Sequence, residues 1–164
     1  KISEVKFPNA IKLEETMSKV LVIYHSLSGH TERMAKAVAE GAASVAGTEV
    51  MLRKALEATV EDLLACDAIA VGSPDYFSYM AGGVKDFFDR AFYPTQGKVT
   101  AKPCATFASA GGPATVVLAC LDKMCFGAMK FKKAAESVGV SGGVTEETLR
   151  ECQELGKKLA KAAK

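Results

Sequence analysis

The chain has 164 residues, of which 49% are hydrophobic and 24% are charged, and both figures are typical of a single globular domain. A net charge of +2 is too small a basic excess to indicate nucleic-acid binding. Neither a signal-peptide pattern nor an apolar run long enough to span a bilayer is visible, so we expect a cytoplasmic protein that binds no membrane.

Five cysteines are present, and no two of them form a Cys-x-x-Cys pair. They are Cys66, Cys104, Cys120, Cys125 and Cys152. Most of them lie in apolar runs, which predicts reduced thiols packed as small core residues. Both histidines, His25 and His30, are far in sequence from every cysteine, so no metal site is expected.

The first 16 residues differ from the rest of the chain. Charges alternate there with scattered apolar residues and one proline. We interpret residues 1–16 as an N-terminal extension, flexible or laid on the surface, with an integral first strand or helix as the alternative. Residues 17–164 then form one domain, with no internal repeat or linker.

From Lys19 onward, apolar runs alternate with segments of helical periodicity. The predicted elements in chain order are a strand at 19–24, a helix at 30–46 ended by Gly47, a strand at 48–54, a short helix capped by Thr59, a strand at 68–72, a helix around 84–92, a strand at 103–108, a helix with Pro113 in its first turn, a strand near 134–140 and a helix starting at Thr145. The fourth helix is apolar nearly all round, so we expect it to be well buried. Five strands, each followed by a helix, predict a three-layer α/β fold with a doubly wound parallel sheet.

The loop between the first strand and the first helix carries the most informative pattern. It consists of Ser26, Leu27, Ser28, Gly29, His30 and Thr31. Three hydroxyl side chains, a glycine and a helix N-terminus can direct hydrogen-bond donors to one point, which suits a phosphate group. The alternative is that one of the hydroxyls simply caps the helix.

The loops after the third and fourth strands end at the same edge of a parallel sheet, where ligands of such folds bind. The former begins with Pro74, Asp75, Tyr76, Phe77 and Ser78, and continues to Tyr79 and Met80. Its three aromatics predict a stacking site for a planar ring, unless Phe77 and Met80 pack beneath the loop. The latter consists of Ser109, Ala110, Gly111 and Gly112, whose glycines let a flat ligand approach the backbone or merely form a tight turn.

These motifs resemble two related groups of proteins. The pattern Ser26-x-Ser28-Gly29-x-Thr31 resembles the phosphate loop of the flavodoxins, which bind FMN. The pattern Pro74-x-x-Phe77-x-x-Met80-x-Gly82 is similar to the flavin loop of the flavodoxin-like NAD(P)H:quinone oxidoreductases. The resemblance implies a flavodoxin-like fold with strand order 2-1-3-4-5, as in flavodoxin itself. It also implies FMN as the cofactor, with residues 26–31 at its phosphate and residues 74–78 and 109–112 beside its isoalloxazine.

The chain departs from both groups in three respects. It has no tryptophan, so Tyr76, Phe77 or Tyr79 would have to stack on the flavin. It is slightly basic, whereas flavodoxins that shuttle electrons are usually acidic. The region after the fourth strand lacks the long histidine-containing insertion that helps the quinone oxidoreductases to form a tetramer, so the sequence does not predict one.

Three functions are compatible with these patterns, and none of them assigns a catalytic side chain. The first is electron transfer through non-covalent FMN to or from a redox partner protein. The second is an NAD(P)H-dependent quinone or FMN reductase, and the third is a flavin-free scaffold with the same fold. A low-molecular-weight phosphatase is excluded, because the first cysteine is Cys66, far beyond the phosphate loop.

Overall fold

The structure, a computed structural model, describes residues 16–164. Residues 1–15, which make up nearly all of the predicted extension, lie outside the described residues. The strands are β1 (Ser18–Tyr24), β2 (Thr48–Lys54), β3 (Ala68–Tyr76), β4 (Tyr79–Met80), β5 (Pro103–Ala110), β6 (Lys132–Lys133) and β7 (Val138–Ser141). The helices are α1 (His30–Ala43), α2 (Val60–Ala65), α3 (Gly82–Thr95), α4 (Thr115–Asp122) and α5 (Glu146–Ala162).

The strands form one sheet in the order β2-β1-β3-β5, and both β6 and β7 pair with the outer side of β5. All of these neighbours are parallel, and only β4 is antiparallel, forming a short hairpin at the end of β3. The predicted fold class is confirmed. The strand order differs from the predicted 2-1-3-4-5 only because two short strands share the last position.

Helices cover both faces of the sheet and bury its central strands. Side chains alternate along β1, so that Leu21 and Ile23 pack against α2, α3 and α4, whereas Val20 and Val22 pack against α1 and α5. All four of these β1 side chains are fully buried. A central parallel strand that is covered on both faces has to be apolar at every position, which explains the uninterrupted run of apolar residues in β1.

The fourth helix is less buried than its composition predicts. Within α4 only Val117 and Leu121 are buried, and Val116 is 40% exposed. Among residues 16–164 no element covers the outer side of this helix, so one apolar face meets solvent. The helix continues as a π-helical turn at Lys123–Ala128, and Pro113 lies just before its N-cap rather than in its first turn.

The predicted strand at 134–140 is also wrong in its bounds. The chain pairs with β5 twice, in β6 and again in β7, and leaves the ladder in between. In that gap the Ser137 hydroxyl lies 2.7 Å from the hydroxyl of Thr106, which itself donates a hydrogen bond of 2.8 Å to Asp122. Side-chain hydrogen bonds thus take the place of backbone pairing, which an apolar pattern cannot reveal.

The remaining boundary differences are small. The strand predicted at 68–72 extends to Tyr76, and the first helix ends at Ala43 rather than near residue 46. The Ser44 hydroxyl donates a hydrogen bond of 2.7 Å to the Gly41 carbonyl at this helix end. No helix within residues 16–164 is both long and apolar enough to cross a membrane.

Two glycines allow α1 and α5 to cross at close distance. A Cβ atom at Gly41 would lie 2.0 Å from the Gln153 carbonyl oxygen, and one at Gly156 would lie 2.0 Å from the Val38 carbonyl oxygen. Each glycine therefore faces the backbone of the other helix, where no side chain can move aside. This contact fixes the position of α1, and with it the loop that precedes α1.

We expect Gly156→Ala to lower the free energy of unfolding by about 3 kcal/mol, because the added methyl group forces two backbones apart. Gly127→Ala is the matched control, since the nearest atom to its Cβ would be 4.0 Å away. That change should be neutral or stabilising by up to about 1 kcal/mol. Urea denaturation followed by circular dichroism measures both effects, and equal stabilities of the two variants would contradict the close crossing.

Candidate functional site

Four strands end at the same edge of the sheet, because β1, β3, β5 and β7 run parallel. The loops that follow them enclose a cavity of about 250 Å³. Its lining residues are Ser28, His30, Pro74, Asp75, Tyr76, Ser109, Ala110, Gly111 and Gly142. Each of the three predicted loops therefore contributes to one site.

The lining and the predicted residues do not coincide completely. Gly142 was not predicted; its N–H donates a hydrogen bond of 2.8 Å to the Ala110 carbonyl and so joins the loop after β7 to the end of β5. The only sequence signal was the pair Gly142-Gly143, which any turn can contain. The predicted residues outside the lining are Ser26, Leu27, Gly29, Thr31, Phe77, Ser78 and Gly112.

No side chain caps α1 where it begins at this site. Gly29 occupies the N-cap position with a φ of 91°, in the left-handed region, and provides no side-chain hydrogen bond to the helix. The Ser26 hydroxyl instead accepts a hydrogen bond of 3.1 Å from the Gly29 N–H, one position before the helix. The interpretation of these hydroxyls as simple caps is wrong, and the N–H groups of the first turn stay open to solvent or a ligand.

The uncapped start of α1 is one of three at this edge of the sheet. The N-caps of α3 and α4 are alanines, which likewise have no capping side chain. By contrast, α2 and α5 each have a complete capping box, formed by Thr59 with Asp62 and by Thr145 with Thr148. The helices that follow β1, β4 and β5 thus direct free N–H groups and the positive ends of their dipoles toward the edge that holds the cavity.

Thr31 links the first predicted loop to the third. It is only 1% exposed, and its hydroxyl lies 2.9 Å from the hydroxyl of Ser109, which lines the cavity. Two hydroxyls in contact share one hydrogen, so one O–H group of the pair is left to donate elsewhere. Thr31 therefore does not stand free in the loop as the sequence suggested, but it holds Ser109 in place.

The second predicted loop is a tight hairpin that exposes an aromatic side chain. Phe77 and Ser78 at its tip have φ values of 57° and 60°, which non-glycine residues adopt at a cost of about 1–2 kcal/mol each. The Ser78 N–H donates a hydrogen bond of 2.8 Å to Asp75, and buried Ser73 ties the base of the hairpin to Ala81. Phe77 is fully exposed, so it does not pack beneath the loop, whereas Met80 does.

Among the three aromatics of the hairpin, only Tyr76 lines the cavity. Its ring meets the ring of His25 edge-on, with 5.8 Å between their centroids. His25 also fills the space in front of Gly83, where a Cβ would lie 2.6 Å from its Nδ1 atom. The contact with His25 thus fixes the Tyr76 ring at the cavity. Tyr76 is therefore the aromatic residue best placed to contact a planar ring.

The lining of the cavity is nearly free of charge. Asp75 is the only acidic residue in the lining, and the lining contains neither lysine nor arginine. An anionic ligand would therefore be held by neutral hydrogen-bond donors and helix dipoles, without an ion pair to a lysine or arginine of the lining. Within residues 16–164 no group of three or more His, Cys, Asp or Glu residues is arranged to hold a metal ion.

Residues 18–143 match the model of the family described as NADPH-dependent FMN reductase. The chain belongs to this family. A flavodoxin of Aquifex aeolicus is 39% identical over 159 aligned residues, covering 88% of this chain and 86% of the relative. An NAD(P)H dehydrogenase (quinone) of Acidithiobacillus ferrooxidans is 40% identical over 94 residues, or 45% of this chain and 47% of the relative.

A solved structure supports the same relationship. The flavodoxin, WrbA-like protein of Agrobacterium tumefaciens superposes with a TM-score of 0.75 at 25% identity, covering 89% of this chain and 97% of the other. The family predicted from the loop motifs is confirmed. These similarities concern both groups that the motifs resemble, the flavodoxins and the quinone reductases.

We expect Cys120 to be the only thiol that reacts rapidly in the folded protein. Burial raises the pKa of Cys66 to about 11 and that of Cys152 to about 12, and it raises the pKa of Cys104 as well. Cys125 is fully buried, whereas Cys120 is partly exposed and its sulfur lies 3.9 Å from the Ser78 carbonyl. A thiol-disulfide dye at about pH 8 should therefore titrate one thiol quickly and the others only after denaturation.

The variant Cys120→Ala is the control for this experiment and should show no rapid phase. Rapid reaction of two or more thiols in the native protein would contradict the burial of the other cysteines. Binding of a ligand against the tip of the hairpin should slow the single rapid phase, because the Cys120 sulfur contacts the Ser78 carbonyl there.

Proposed function

We propose that this member of the family binds FMN non-covalently in the cavity and transfers electrons to or from a redox partner protein. The observation that carries the proposal is the uncapped start of α1, which lies beside Ser28 and Ser109 in the lining of a single cavity. A dianionic phosphate is the ligand best suited to free backbone N–H groups and neutral hydroxyls at a helix N-terminus. The family match and the flavodoxin relative support the same cofactor.

The backbone around the site is open to a ligand at four glycines. At Gly29, Gly111, Gly112 and Gly142 no atom lies within 4 Å of the point where a Cβ would stand. The backbone at these positions can therefore approach a ligand directly. In our assignment Ser26, Ser28 and the first turn of α1 hold the phosphate.

The residues of the second and third loops would contact the ring system. Pro74 and Tyr76 of the second loop and Ala110 and Gly111 of the third all line the cavity. When bound, FMN supplies the redox chemistry, while the protein sets its orientation and its access to other reactants. The exposed Gly111 and Gly112 have no side chains that could shield the ring from a partner.

A reductase that takes hydride from NAD(P)H is the second candidate. The description of the family and the quinone dehydrogenase relative favour it. The absence of lysine and arginine from the lining favours the electron carrier, because a dinucleotide brings phosphates that usually pair with cations. We therefore place the carrier first.

We expect Ser28→Glu to abolish FMN binding without unfolding the protein, because a carboxylate would then face the phosphate dianion. Leu27→Glu is the matched control, since Leu27 is 80% exposed and does not line the cavity. The new carboxylate of this control can point into water, so we expect the affinity of Leu27→Glu for FMN to fall by less than about tenfold. Fluorescence quenching of added FMN measures both; retained binding in Ser28→Glu would refute the phosphate assignment.

We expect NADPH to bleach the FMN-loaded protein slowly, over minutes, while dithionite bleaches it at once. The physical reason is the lack of cations at the cavity, which leaves the dinucleotide phosphates unpaired. Stopped-flow absorbance in the flavin band provides the measurement. Rapid bleaching by NADPH, followed by turnover when a benzoquinone is added, would instead identify the protein as a reductase.

A further inference from the structure

A second cavity lies at the opposite edge of the sheet, between the end of α3 and the π-helical turn, and we call it the α3 cavity. It has a volume of about 250 Å³ and is more enclosed than the cavity assigned to FMN. Its lining residues come from two segments, 92–100 and 128–130. Neither segment belongs to the site described above, so the proposed electron transfer makes no use of this cavity.

Part of the lining of the α3 cavity is apolar. Val99 is 3% exposed and Met129 is 5% exposed, and Phe92 beside them is half-buried. A methionine side chain is unbranched and flexible, so it can adapt to the shape of a ligand. No acidic residue lines the cavity, so an apolar chain that entered it would not strip water from a carboxylate.

The segment that surrounds the cavity is strongly basic. Residues 91–135 contain six lysines and no arginine, and their only acidic residue is Asp122. This segment therefore carries a net charge of +5, although the whole chain carries only +2. Asp122 itself accepts a hydrogen bond of 2.8 Å from Thr106 on β5. The field at the cavity thus favours a ligand with a negative charge.

Three of the six lysines already have partners. Lys98 and Lys102 donate hydrogen bonds to backbone carbonyls, and Lys133 forms an ion pair of 2.9 Å with Glu136. Lys130 is the lysine that lines the cavity, and it takes part in none of the ion pairs found within residues 16–164. Its ammonium group is therefore available to pair with an anion at this place.

An unusual backbone conformation holds Lys130 at the cavity. Lys130 has a φ of 60° and Ala101 has a φ of 62°, both in the left-handed region that favours glycine. The Ala101 N–H donates a hydrogen bond of 2.8 Å to the Lys130 carbonyl, so these two residues tie together the two segments that line the cavity. Strained residues and π-helical turns both concentrate at functional sites, and here they occur side by side.

We propose that the α3 cavity binds a small aliphatic carboxylate, with its chain against Val99 and Met129 and its carboxylate at Lys130. The Gln96 amide and the Thr100 hydroxyl also line the cavity, and both can donate hydrogen bonds to a carboxylate. Inorganic phosphate fits less well, because it has no apolar chain to cover the buried part of the lining. A bilayer fits less well, because an acyl chain would have to leave it to enter a recessed cavity.

The probe for this site is decanoate, added to the full-length protein with and without FMN. Amide NMR spectra should shift at residues 95–100 and 128–130 in both cases, because the site is separate from the cavity assigned to FMN. Decanoate should bind at least about tenfold more tightly than hexanoate, because its longer chain removes more apolar area from water.

Two variants test the role of the charge. Lys130→Asn removes the ammonium group but keeps the left-handed backbone, which asparagine tolerates. Lys132→Asn is the matched control, because Lys132 is also exposed but does not line the cavity. We expect Lys130→Asn to weaken decanoate binding at least about tenfold and to leave the binding of uncharged decanol unchanged. Lys132→Asn should change neither affinity by more than about twofold.

Four results would overturn the proposal. Equal affinities for decanoate and hexanoate would mean that no chain is buried in the α3 cavity. Equal affinities of the two variants for decanoate would mean that Lys130 does not hold the carboxylate. Shifts confined to residues 109–112 would place decanoate in the other cavity. Shifts produced by phosphatidylglycerol vesicles but not by decanoate would identify a bilayer as the partner instead.

Discussion

The start of α1 is the constraint on which the rest of the site depends. A helix leaves several backbone N–H groups without partners at its N-terminus, and most helices satisfy one of them with a side-chain cap that is worth about 1 kcal/mol. In this chain α2 and α5 have such caps, while α1 has a glycine in a left-handed conformation. A stabilising interaction is thus missing where the loops after β1, β3 and β5 converge, and an anionic ligand can replace it.

The surroundings of that helix end make the arrangement specific. Thr31 holds Ser109 at the cavity, and the Gly142 N–H bonds to the end of β5 at Ala110. The tight crossing of α1 and α5 at Gly41 and Gly156 keeps the helix from shifting. Since few charges lie nearby, the field at the site comes from backbone dipoles that the fold fixes in place.

Much of the fold was predictable because it follows from burial. The central strand β1 is apolar from Val20 to Tyr24, β2 was predicted with its observed bounds, and Thr59 is the cap that the sequence suggested. The errors lie where periodicity has no information. The apolar pattern of α4 predicts burial on every side, but the fold covers only the side of Val117 and Leu121. The break in the last strand depends on hydrogen bonds between Thr106, Ser137 and Asp122, which are far apart in sequence. At the site, the loops were found from their residue types, whereas the inward turn of Thr31 and the role of Gly142 are set by tertiary contacts.

The most direct test of the account compares FMN with riboflavin, which has the same ring system but no phosphate. The dissociation constant of each can be measured by fluorescence quenching with the purified protein. If the start of α1 holds the dianion, FMN should bind at least about 100-fold more tightly, since each hydrogen bond to a charged group contributes about 1.5–3 kcal/mol. Equal affinities for the two flavins would show that the phosphate is not the anchor and would contradict the central claim.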